Sequence, residues 1–389
     1  MRITHVITRL IIGGAQENTL SSVLGLRQRP GFDVQLISGP STGPEGSLES
    51  LDPQLTIVPA LVRPVAPYRD ALALRQLTQI FRNSQPDIVH THSGKAGILG
   101  RLAAAKAGVP VIIHTIHGPS FGNFQNGLAN LIFRAAERRA GRVTDHFVTV
   151  ADAMTEQYLA TGIGRREQYT RIFSGFNLAP YLAAKNDLEL RARLGISTDD
   201  LVIGKIARLF KLKGHDDLFA VAPEIVRQYP RVKFLFVGDG EWRAKFENKT
   251  RELGLEKHVV FAGLIRPEEV PRYVGIIDAL VHLSLREGLP RALSQAMAGG
   301  KPVVAYDCDG AREVCLDGKT GFLLRPGDLP GLKLALIKLS ENAPLREQLG
   351  HSGREFVREH FSAERMVDQL AALYLNLATD RSHRQNSPA

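Results

Sequence analysis

The 389-residue sequence predicts an α/β protein made of two Rossmann-like domains. Three observations carry that expectation. Short apolar runs alternate with helical patterns through both halves, as strand–helix–strand units of a parallel sheet require. Glycine turns follow several of those runs, among them Gly13-Gly14 and Gly238-Asp239-Gly240. The length is generous for one domain and comfortable for two.

In the first half, residues 3–8 read as a strand, Gly13-Gly14 as a turn and 15–28 as a helix. Strand 34–38 follows, then a Gly-, Pro- and Ser-rich surface loop at 39–53, a short strand at 57–58 and a helix at 68–83. The run 87–92 is a strand ending in His-Thr-His, with its helix at 95–107. Strand 111–115 has His117-Gly118 just beyond it, and 126–142 is a basic amphipathic helix. Strands at 147–150 and 169–173 lead to Ser174-Gly175-Phe176-Asn177. The polar stretch 180–198 reads as a linker.

The second half repeats the alternation. Strands are expected at 202–207, 233–237, 259–261, 279–283, 303–305 and 322–324, and helices at 216–228, 242–253 and 270–277. Helices at 330–341, 345–359 and 363–378 close the chain before a polar tail, 380–389, expected to be disordered.

The most informative stretch is VHLSLREGLPRALSQAMAGGKPVVA, residues 281–305. A buried strand runs into the loop Arg286-Glu287-Gly288-Leu289. Pro290 is expected at the first helical position, where a missing N–H costs nothing, and Gly299-Gly300 ends the helix. Leu293, Ala296 and Met297 share its buried face. Glu287 thus stands at a strand end beside a helix N-terminus, a place suited to phosphate and sugar hydroxyls.

The 44% hydrophobic and 23% charged content is that of an ordinary soluble protein. No apolar run is long enough to span a bilayer, and MRITHVITRLIIGG reads as a strand and turn, not a signal peptide. Two cysteines, Cys308 and Cys315, suit free thiols in a reducing cytoplasm. The net charge of +9 favours anionic partners. Nucleic acid ranks last among these, since no binding motif with interleaved aromatics is present.

Gly13-Gly14 lets backbone N–H groups approach a phosphate, but the G-x-G-x-x-G spacing of a dinucleotide site is missing. Arg208 and Lys213 follow a strand end and suit a leaving diphosphate. His90, His92, His114 and His117 gather at neighbouring strand ends, so a zinc site and a metal hydrolase are conceivable. Against this, no Asp, Glu or Cys lies nearby in sequence, and His90 and His114 also read as core residues. In the basic helix, Leu128, Leu131, Ile132 and Ala135 are read as packing on the sheet. Arg134, Arg138, Arg139 and Arg142 would then face solvent, and docking on anionic lipid is the alternative.

The stretch 281–305 resembles the signature of retaining glycosyltransferases of family 4: a glutamate, seven residues, a second glutamate, Ala-Met-Ala and Gly-x-Pro-Val-Val. Glu287 matches the first glutamate, and Gln295 departs from the second. Arg208 and Lys213-Gly214 resemble the family's Arg-(four residues)-Lys-Gly pair, and His117-Gly118 its His-Gly.

This resemblance implies the GT-B fold, two Rossmann-like domains facing a central cleft. Residues 1–180 would bind the acceptor and 199–360 the nucleotide sugar, with helix 361–379 crossing back. It implies transfer of a sugar from a UDP-sugar, or a GDP-sugar, to a glycan or lipid-linked acceptor with retention. The setting would be cytoplasmic, at the inner face of the membrane. His117 and Glu287 would meet the donor sugar. Gly14, Arg208, Lys213, Leu264, Gly288, Leu289 and Gln295 would bind the rest of the donor, Gln295 at the ribose, with no metal or other cofactor. A non-catalytic nucleotide-sugar-binding subunit is the alternative that Gln295 raises.

Overall fold

Thirteen strands fall into two all-parallel sheets in the computed structural model, which describes residues 1–42, 46–122 and 125–386. The first sheet holds β1 (Arg2–Ile7), β2 (Asp33–Ser38), β3 (Thr56–Ile57), β4 (Ile88–His92), β5 (Val111–Ile116), β6 (His146–Thr149) and β7 (Tyr169–Arg171), in the order β3-β2-β1-β4-β5-β6-β7. The second holds β8 (Leu201–Ile206), β9 (Val232–Val237), β10 (Val259–Gly263), β11 (Ala279–His282), β12 (Val303–Tyr306) and β13 (Gly321–Leu324), in the order β10-β9-β8-β11-β12-β13. Each order reverses once, between β1 and β4 and between β8 and β11. Ligands of open α/β sheets bind beyond the carboxyl ends of such strands.

The chain divides into two units, Met1–Phe176 with the segment from Ala363, and Asn177–Ser362. In the first unit both sheet faces are covered, which is why β4 and β5 are buried along their whole length. Ile3, Ile7, Val111 and Ile113 pack with Val23 and Leu26 of helix Gly14–Arg27 and with Met366, Leu370 and Tyr374 of helix Ala363–Asn386. Val6, Val89 and Ile112 point the other way, toward helices Pro67–Ser84 and Gly94–Ala107. In the second unit Val281 and Val304 meet Phe219, Phe246 and Leu336.

Several expectations are corrected. The stretch 180–198 is no linker. It holds helices Ala179–Leu182 and Leu188–Arg193, and the second is tied down by Arg191, which is 3% exposed and donates to the carbonyls of Ser197 (2.8 Å) and Ile276 (3.1 Å). Helix Asp152–Leu159, unforeseen in the sequence, follows β6. Pro290 caps helix Arg291–Ala298 from outside instead of opening it. The tail expected to be disordered from 380 continues as helix to Asn386, with 387–389 outside the described residues. Of the loop expected at 39–53, residues 43–45 also lie outside them, and a 3-10 turn occupies Glu49–Leu51.

The basic helix is Gly127–Gly141, capped by the Asn126 side chain on the Ala129 N–H. Its packed face is not the leucine stripe. Glu137, Ala140 and Gly141 are buried, and Glu137 pairs with the fully buried Arg101 of the neighbouring helix at 2.6 Å. That pairing turns Leu128, Leu131 and Ile132 outward, 70%, 63% and 58% exposed, and Ala135 with them. Among the described residues no helix is long and apolar enough to cross a membrane.

Candidate active site

In the second unit β8 and β11 pair directly, Ile203 opposite Ala279 and Gly204 opposite Leu280. The loops beyond them, 207–214 and 283–290, therefore emerge side by side. Gly214 sits at φ +64°, and a Cβ there would lie 2.1 Å from the Leu283 carbonyl oxygen, so only glycine lets the loops approach this closely. The Leu285 N–H donates to the Leu212 carbonyl at 2.8 Å and closes the pair.

The approach places Lys213 Nζ 2.6 Å from Glu287 Oε1, while His282 Nε2 lies 3.2 Å from the same oxygen. The Glu287 N–H donates to Asp309 Oδ2 at 2.7 Å, and the Gly310 N–H to the Gly288 carbonyl at 3.1 Å. Backbone and side chain of Glu287 are thus both fixed. Burial pushes its carboxyl up, but the His282 hydrogen bond and the Lys213 charge together hold it well below its ordinary value. Burial lowers His282, which stays neutral and donates. Lys205 in β8 is 1% exposed, and burial, helped by Lys213, lowers its ammonium to about 7 against the pull of Asp217 and Glu287.

Other residues named from the sequence are more spread out. Arg208 is exposed, and its guanidinium lies over the Phe210 ring at 4.9 Å instead of joining Lys213. Leu264 follows β10 and is 60% exposed. Gly288 is buried and Leu289 half-buried between Glu287 and the helix at Arg291. Gln295, one turn into that helix, donates its amide N–H to the Tyr181 hydroxyl at 2.8 Å. Its carbonyl oxygen is thereby oriented as the acceptor.

One Asp-x-Asp triplet, a common metal signal in nucleotide-sugar enzymes, occurs at Asp307-Cys308-Asp309 and bears on the metal-free expectation. Its two carboxylates have separate partners: Asp307 binds the Arg312 guanidinium, and Asp309, at φ +50°, accepts the Glu287 N–H. Both cysteines are free thiols, pushed up to about 12 by burial.

In the first unit Gly14 opens the helix beyond β1, exposed at its N-terminus. His117 follows β5 and is half-buried, and its Nε2 lies 3.0 Å from His92 Nδ1. His114 bonds to Thr91 on the opposite sheet face and fills the space that Gly97 leaves. Sequence reasoning missed His5 and Tyr374. The ring nitrogens of His5, His90 and His92 lie within 4.8 Å of one another, as a metal trio would. Yet each of those nitrogens is already hydrogen-bonded, to Tyr374, Thr115, His117 or another member of the trio. The missed signals were a histidine in β1 and a tyrosine in the last helix, neither telling without the strand order.

The model for glycosyl transferases group 1 matches residues 186–356, and the glycosyl transferase 4-like domain matches 13–173. The chain is 27% identical to the Escherichia coli UDP-Gal:alpha-D-GlcNAc-diphosphoundecaprenol alpha-1,3-galactosyltransferase over 98% of both chains. It is 25% identical to the Staphylococcus aureus capsular polysaccharide biosynthesis glycosyltransferase CapM, over 89% of this chain and 90% of CapM. Anabaena HepE, solved in complex with UDP-glucose, superposes with a TM-score of 0.81 at 24% identity, covering 97% of this chain and all of HepE. With two parallel sheets, both halves matched by family models and the switch-point loops carrying a cation and a carboxylate, the chain belongs to the group 1 glycosyltransferases of GT-B fold, which transfer a sugar from a nucleotide sugar.

Proposed function

We propose that the protein moves a sugar from a UDP-sugar, with retention, to a lipid-linked or polysaccharide glycan intermediate and needs no metal ion. The Lys213–Glu287–His282 cluster carries the reading. Lys213 supplies positive charge to the leaving diphosphate, with Arg208 and the helix N-terminus at Arg291 contributing the rest. Glu287, ionised and fixed, accepts hydrogen bonds from sugar hydroxyls as the glycosidic bond to the diphosphate breaks. His117, just beyond β5, is read as a sugar contact. Gln295 accepts a ribose hydroxyl, and Leu264 lies toward the base.

The UDP preference is supported by the E. coli relative named for UDP-Gal and by HepE, solved with UDP-glucose. The E. coli relative's diphosphoundecaprenol acceptor also supports a lipid-linked one here. The outward Leu128, Leu131 and Ile132, with the exposed Arg138 and Arg139 on the same helix, suit docking at an anionic inner membrane surface. A donor panel assayed for turnover tests the reading, with the product's anomeric configuration read by proton NMR. Transfer from a UDP-sugar giving the donor's own anomeric configuration is expected. Binding without turnover would favour the non-catalytic subunit, and an inverted product would remove retention.

A further inference from the structure

A chain of six side chains crosses the first sheet and ends at His117. Thr115 Oγ lies 2.6 Å from His90 Nε2, and His90 Nδ1 lies 2.5 Å from the Tyr374 hydroxyl. That hydroxyl is 3.2 Å from His5 Nε2; His5 Nδ1 is 2.9 Å from His92 Nε2, and His92 Nδ1 is 3.0 Å from His117 Nε2. The register builds this arrangement. His5 is opposite His90, His92 is opposite Thr115, and residues two apart on a strand share a face. Tyr374 closes the chain from helix Ala363–Asn386.

We propose that this relay fixes the tautomer of His117, placing its proton on Nδ1 so that the ring donates a hydrogen bond to a hydroxyl oxygen of the donor sugar. The proposal rests on the reading of His117 as a sugar contact. His90, Tyr374, His5 and His92 are positioning residues in it.

Proton counting gives the direction. Six neutral groups bring one mobile proton each, and five links hold one each, so all links must point the same way and the sixth proton sits at one end. Among the described residues the Thr115 hydroxyl has no partner but His90, and Thr115 is 4% exposed. Its proton therefore goes into the His90 link, because a buried donor pointed elsewhere would be unsatisfied. Every later link then donates toward His117: His90 to Tyr374, Tyr374 to His5, His5 to His92, His92 to His117 Nε2. The left-over proton is on His117 Nδ1, which has no side-chain partner among the described residues, on a half-buried ring.

The count requires neutral rings. Burial lowers all four, His117 to about 4 and His5 to about 3, the latter helped by Arg27, whose own charge is paired with Asp52. His114 and His146 lower His90 further. Burial also raises the Tyr374 phenol, which stays a donor.

The test is a two-bond nitrogen–proton correlation spectrum of the ligand-free, full-length protein with labelled histidines, which reads each ring's tautomer. His90, His5, His92 and His117 should all carry the proton on Nδ1. Tyr374→Phe breaks the link between His90 and His5, and Thr115→Val removes the terminal donor. Each should give mixed tautomers at His117 and lower turnover by several-fold to about tenfold, with affinity for UDP unchanged. Should Tyr374→Phe not fold, Thr115→Val decides alone. A wild-type His117 protonated on Nε2, or a tautomer indifferent to both changes, overturns the relay. Shifted tautomers with unchanged turnover on an active UDP-sugar overturn its role in transfer. Because the spectrum needs no donor, a wrong donor assignment would show as absent turnover with the tautomers intact.

Discussion

Lys213 Nζ and Glu287 Oε1 lie 2.6 Å apart, and the carboxylate is gripped from a second direction by His282. In the proposed function Lys213 serves the diphosphate and Glu287 the sugar, and here the two charges pair with each other. On that proposal, donor binding would draw Lys213 toward the phosphates and open Glu287 to hydroxyls.

Glu287→Gln separates the two roles. The amide keeps a hydrogen bond to His282 but no longer competes for the Lys213 charge. Turnover should fall by about 10²–10³-fold, as when one group that stabilises a transition state is removed. Affinity for UDP, measured by calorimetry, should be unchanged or several-fold tighter. A collapse of UDP affinity together with the rate would show that Glu287 holds the nucleotide and not the sugar.

Gln295→Glu should tighten the donor. The Tyr181 hydroxyl, which now accepts from the amide, can also donate to a carboxylate. A charged acceptor at the ribose gains about 1 kcal/mol over a neutral one, a several-fold lower donor KM. The acceptor KM should not move. A wild-type protein inert toward millimolar nucleotide sugar and rescued only by this change would mark a degenerate relative.

Lys205 sets a pH dependence of stability. Its ordinary value of 10.5 falls to about 7 in the fold, chiefly by burial. Between those values the unfolded chain holds a proton that the native state does not. Stability therefore rises with pH across that window, by up to about 1.4 kcal/mol per pH unit from this group, and its contribution is lost as pH falls toward 7. Urea unfolding at about pH 7 and about pH 7.8, below the ordinary thiol value, should show a smaller rise in Lys205→Met than in wild type. Equal slopes would place the Lys205 ammonium in water.

Replacing Leu131 and Ile132 together by glutamate should abolish sedimentation with phosphatidylglycerol vesicles and spare the melting temperature. Each exposed apolar side chain that enters the lipid contributes about 1.5–3 kcal/mol, and two added carboxylates repel the surface. Loss of fold instead of vesicle binding would mean that the stripe packs in the core after all.

That helix also shows what a sequence can and cannot display. A 3.6-residue apolar stripe was visible at Leu128, Leu131, Ile132 and Ala135, but periodicity does not say which face meets the sheet. The buried pair Glu137–Arg101, between residues 36 positions apart, decided it. Local features were readable: the strand ends, the loop holding Arg208 to Gly214, Glu287 before a helix, and His90 and His92 on one strand face. Partners set by strand order were not. His5 joins His90 because β1 lies beside β4, and Tyr374 arrives from a helix 284 positions away in sequence. Polar composition misread 180–198 for the same reason, since buried Arg191 donates to the carbonyl of Ile276, 85 positions away.

The Lys213–Glu287 cluster is proposed to receive the diphosphate of a UDP-sugar with no metal ion. Calorimetric titration of UDP in excess EDTA, on wild type and on Lys213→Ala, tests it most directly. Saturable binding without a divalent ion is expected, weakened at least about tenfold in Lys213→Ala through loss of a charged hydrogen bond. Binding that vanishes in EDTA, returns with a divalent ion and is indifferent to Lys213 would contradict it.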